Sequence, residues 1–166
     1  MRPDSRAAAQ SGTLPAHPMP AFLKLLHLAA AIVWLGGMTF MLFALRPVAV
    51  AQLAPPARLT LLAAALARFL ALVWGAIAVL LATGFAAFAE VGMRGAPPGW
   101  HAMLGLGLVM VLVFAHLYFA PFRRLRQAVA RADWPEAGRR MGQIQPLVLA
   151  NFVLGWLAVA AVLLLR

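Results

Sequence analysis

Polar residues are nearly absent from four stretches of the chain, roughly 21 to 45, 64 to 89, 102 to 122 and 144 to 165, and gather in the segments between them. A hydrocarbon core about 30 Å thick is crossed by roughly 20 mostly apolar helical residues, so each stretch predicts one membrane span. The predicted fold class is an all-α integral membrane protein, an antiparallel bundle of four transmembrane helices. Pro47, Pro55 and Pro56 follow the first stretch and RGAPPG at 94–99 follows the second, and these predict breaks in the helical path. The longest connector, RRLRQAVARADWPEAGRRMGQ from Arg123, separates the last two spans. Ahead of the first span, MRPDSRAAAQSGTLPAHPMP lacks the basic, apolar and small-residue order of a leader peptide. It reads as a flexible tail over 1–20, leaving 21–166 as one transmembrane domain.

Composition agrees with the pattern: 64% of residues are hydrophobic and 11% charged, with a mean hydropathy of +0.90. The chain carries 14 Lys plus Arg against 4 Asp plus Glu, a formal charge of +10, but so apolar a bulk leaves no soluble basic face for nucleic acid. The charge reads as a topology signal instead. Four spans place both termini on one side and the first and third connectors on the other. That other side collects Arg46, Arg58, Arg68, Arg123, Arg124, Arg126, Arg131, Arg139 and Arg140, whereas the side of the termini holds Arg2, Arg6, Lys24, Arg94 and Arg166. The positive-inside bias predicts a multi-pass protein of the bacterial inner membrane with both termini outside the cytoplasm. The arginines at 123–140 also suit contact with anionic lipid.

No cysteine is present, which excludes disulfides, thiolate metal sites and iron–sulfur clusters. The carboxylates are Asp4, Glu90, Asp133 and Glu136, too few and too scattered for a hydrolase or transferase. Chemistry therefore falls to the histidines. At about 100° per residue, His27, Ala31, Trp34, Met38, Met41 and Leu45 share one stripe of the first helix, and His101, Gly105, Leu108, Leu112 and His116 share one face of the third. His101 and His116 lie about 22 Å apart along the axis, near opposite membrane boundaries. The predicted outer site is His27 with His101, with Glu90, Met93 and Met38 as further ligands or supporting groups. The predicted inner polar cluster is Arg68, His116 and Asn151. Ionisable groups within a membrane usually face the bundle interior. Two histidines on separate helices can clamp a haem b iron axially, and copper, which favours soft Met with imidazole, is the other ion the residues suit, with His17 and Met19 of HPMP, Met93 and Met103 nearby. Met103 lies about 200° around the helix from His101, so those two cannot both point inward.

With those residues in place the chain resembles the membrane domain of the copper resistance protein D family. The pieces that carry the resemblance are LKLLHLAAAIVWLGGMTF (23–40), RPV at 46, RFLALVWGAIAVLLATG (68–84), HAMLGLGLVM (101–110) and NFVLGW (151–156). It implies copper handling, as uptake, tolerance or transfer, often beside a periplasmic copper-binding protein. The first helix is also similar to the start of the HemJ-type protoporphyrinogen oxidase family, through His27, Trp34 and Gly37. That likeness implies a single haem b and, were the chain an enzyme, a haem-dependent oxidoreductase. A membrane scaffold without cofactor completes the readings, and a homo-oligomer in the bilayer is compatible with all of them.

Overall fold

In a computed structural model of the chain, which describes residues 20–165, four long helices run Ala21–Gln52 (α1), Pro55–Val91 (α2), Pro98–Ala130 (α3) and Trp134–Leu164 (α4). Each is long and apolar enough to cross a membrane. The expected tail over 1–20, with His17 and Met19, lies outside the described residues except for Pro20. The four-helix, all-α integral membrane fold class stands.

The helices are longer than the apolar stretches on which they are built. Pro47 does not end α1, because its missing N–H falls just after a π turn at Met41–Leu45, and helix resumes over Arg46–Gln52 before Leu53 turns extended. A second π turn, Tyr118–Phe122, accommodates Pro121 within α3, and α4 carries Pro146 inside its helical path. Pro55 and Pro56 open α2 rather than merely closing α1, their fixed φ suiting a first helical turn. The long connector after Arg123 is itself mostly helix. Its turn is confined to Arg131–Asp133, where Ala132 sits at φ 54° and the Asp133 side chain accepts from the Glu136 N–H at 3.1 Å to cap α4. The Asp-x-x-Glu order there is a helix-start signal that the hydrophobic pattern alone does not register.

Packing groups the helices in two pairs, α1 on α2 and α3 on α4. Gly37 lets α1 approach α2, since a Cβ there would collide with the Phe69 ring, while Gly36 faces open space on the exposed side. The pairs meet through edge-on rings: Trp34 to Phe114 at 6.1 Å, Trp74 to Phe114 at 5.0 Å and Phe43 to Phe152 at 5.6 Å. Leu35 of α1 packs where Gly155 of α4 leaves room. The outward residues of every helix are large and apolar, among them Phe22, Ile32, Leu72, Leu112, Val153 and Leu164. In water such a surface would aggregate; on membrane-spanning helices it is the contact with lipid.

Candidate functional site

Toward the end of the bundle that carries the termini the two helix pairs enclose a cavity of about 490 Å³. All four helices contribute: Lys24, His27, Trp34 and Leu35 from α1; Ile77, Thr83, Gly84 and Phe88 from α2; Trp100, Met103, Gly107 and Met110 from α3; Gly155, Ala158 and Val162 from α4. The glycines are what make the space. A Cβ on Gly107 would meet nothing within 4 Å, and one on Gly84 would meet only His27 Cε1, at 3.9 Å. The walls are almost wholly apolar, and the ammonium, imidazole and hydroxyl on them come from Lys24, His27 and Thr83.

His27 is half-buried and its Nδ1 lies 2.7 Å from Thr83 Oγ1. Thr83 is itself buried, and its hydroxyl donates to the Val79 carbonyl one turn back at 2.7 Å. The tautomer that satisfies both contacts at once puts the hydroxyl proton on the Val79 carbonyl and the ring hydrogen on Nδ1, with Thr83 Oγ1 accepting from His27. In the neutral ring Nε2 is then an open lone pair. Among the described residues Nε2 has no hydrogen-bond partner. A histidine held in this way by one nitrogen can offer the other as a ligand.

The second predicted ligand is elsewhere. His101 is exposed, with Nε2 2.9 Å from the Met93 carbonyl and Nδ1 3.2 Å from the Pro97 carbonyl. With a carbonyl oxygen against each nitrogen, neither is open to a metal, and the ring ties the 93–97 turn onto α3 instead. It does not line the cavity; it rests edge-on against Phe88, which does, with ring centroids 5.5 Å apart. The cause is the choice of face on α3. The whole predicted stripe of His101, Gly105, Leu108, Leu112 and His116 is exposed, while Met110, Phe114 and Leu117 on the opposite face are buried. Met103, placed about 200° from His101, is accordingly the residue of the two that turns to the cavity.

The supporting groups also divide. Glu90 is exposed and off the cavity, so Thr83 holds the place beside His27 that the sequence reading gave to a carboxylate. Met93 is exposed in the turn and touches His101 by its backbone. Met38 is buried at 2% exposure in the central packing, outside the cavity lining. The predicted inner cluster is not assembled: Arg68 and His116 are exposed on α2 and α3, whereas Asn151 is buried and donates from Nδ2 to the Met110 carbonyl at 3.2 Å. Among the described residues no three of His, Cys, Asp and Glu converge on one point.

Residues 63–165, more than half of the chain, match the family described as copper resistance protein D. The matched stretch begins in α2, so it covers Thr83, Met103 and Gly107 and leaves out His27 and the rest of α1, including the residues of the HemJ-type likeness. No curated protein and no solved structure matches.

Proposed function

Because the chain belongs to the copper resistance protein D family, we propose that it handles copper in the membrane through His27, at the end of the bundle nearer the termini. The observation that carries this reading is the His27–Thr83 bond, which commits Nδ1–H and leaves Nε2 as a fixed, open nitrogen ligand on the cavity wall. Met103 on the facing helix supplies a thioether to the same cavity. Imidazole with thioether suits Cu(I) over harder ions, and so small a donor set suits a site that passes the ion on rather than stores it. The ion is cargo on this reading. With both termini outside the cytoplasm, His27 lies toward the periplasmic side, where a copper-binding protein could deliver or collect the ion.

The test is Cu(I) binding by the purified chain in nanodiscs, measured by competition with a chromophoric chelator. His27→Ala removes most bound copper and Met103→Leu weakens it by about tenfold, while His101→Ala and His116→Ala leave it unchanged. Full retention in His27→Ala overturns the reading. A single haem b is the second reading, favoured by the cavity's size, and it keeps His27 as its axial ligand without His101. A Soret band in the visible spectrum decides for it; with neither haem nor copper in any variant, the scaffold reading stands.

A further inference from the structure

The cavity is far larger than a metal ion needs. At about 490 Å³ it falls in the range of sites for organic ligands, and one water takes up about 30 Å³ of liquid volume. Its walls offer a copper ion little beyond His27 and the thioethers of Met103 and Met110, but they offer an apolar molecule almost everything. From the polar rim and the apolar body together we propose that this cavity binds an isoprenoid quinol, with the ring inside and the tail leaving to the bilayer.

Three features identify the occupant. First, the rim presents an open acceptor, His27 Nε2, and Lys24, about one helical turn before it on α1, whose ammonium can only donate. A quinol head matches both, one hydroxyl donating to Nε2 and a ring oxygen accepting from Lys24. A fatty carboxylate has only acceptors, so it satisfies Lys24 and leaves Nε2 unmatched. Second, Trp34, Phe88 and Trp100 supply aromatic walls for a flat ring. Third, Leu28 and Leu163 belong to the lining yet are each 58% exposed, so the cavity opens between α1 and α4 onto the lipid-facing surface, where a tail can exit. Copper in the preceding reading uses the same lone pair, so quinol and ion exclude one another at His27.

The experiment uses the copper-free full chain in nanodiscs, titrated calorimetrically with decylubiquinol, with decylubiquinone and with palmitate, against empty nanodiscs. The expected result is saturable binding of one quinol per chain, about fivefold tighter than the quinone, which lacks the hydroxyl donors. His27→Ala abolishes that preference between the two oxidation states. Gly107→Leu, whose Cβ would meet nothing within 4 Å, fills the cavity and weakens both by at least about tenfold. No saturable uptake, equal affinity for quinol and quinone, tighter binding of palmitate, or unchanged binding in Gly107→Leu each overturns the proposal. Loss of the copper reading leaves it standing: a chain that takes quinol but no copper fails only the earlier test, and one that takes copper but no quinol fails only this one.

Discussion

Thr83 makes two bonds with one hydroxyl, donating to Val79 and accepting from His27, and the second fixes which nitrogen of the histidine stays open. Thr83→Val keeps the shape of the side chain and removes both. We expect Cu(I) affinity to fall about tenfold in that variant, the range seen when the group orienting a metal-bound histidine is lost, with a smaller loss than in His27→Ala and with helix content unchanged. Affinity equal to the native chain's would mean that His27 is oriented by packing alone. His27 itself was legible in the sequence, as an imidazole within an apolar stretch. Thr83 was not, because a threonine inside a helix ordinarily satisfies its own hydroxyl on the preceding turn, and only the antiparallel apposition of α1 and α2 shows that it does something more. The expected carboxylate, Glu90, lies exposed near the end of the same helix.

The number of helices was written in the hydrophobic pattern; their ends and inward faces were only partly so. A membrane span is apolar all round, so periodicity hardly distinguishes its packed face from its lipid face. On α1 the stripe through Trp34 and Met38 is indeed buried. On α3 the two histidines drew the expected face to the wrong side, since His101 finds its partners in the turn before the helix rather than in the bundle. Small residues mark a close approach only at some positions: a Cβ on Gly37 or Gly155 would collide with a side chain of a neighbouring helix, whereas one on Gly36 or Gly105 would meet nothing within 4 Å. The paired glycines of α1 test this directly. Gly37→Leu drives a side chain into the Phe69 ring and should cost about 1–3 kcal/mol by overpacking between α1 and α2. Gly36→Ala meets no neighbour and should be neutral or slightly stabilising, since alanine is the better helix former by about 1 kcal/mol at most. Thermal unfolding of the two variants in detergent, compared side by side, checks the pairing of α1 with α2. Equal melting temperatures would contradict it.

The whole molecule is asymmetric along the membrane normal. α2 has 37 residues, about 55 Å of helix, against a hydrocarbon core of about 30 Å. Its apolar stretch of roughly 64 to 89 leaves most of the surplus at the end that carries the arginines. There Arg123, Arg124, Arg126 and Arg131 are exposed, and Glu136 pairs with Arg139 and with Arg140, the latter at 2.6 Å. One carboxylate shared by two guanidiniums leaves that end strongly positive, and the positive-inside bias predicts that this end lies in the cytoplasm. A reporter inserted at the Asp133 turn should therefore read as cytoplasmic, and one fused after Arg166 should read as external. Replacing Arg123, Arg124 and Arg126 with Gln should give a mixed population, because the bias is a sum over charges near the spans rather than the property of one residue. The cavity lies toward the opposite end from these arginines, so the same experiment decides which compartment His27 serves. An external Asp133 would put the cavity on the cytoplasmic side, and copper would then have to be exchanged with a cytoplasmic partner.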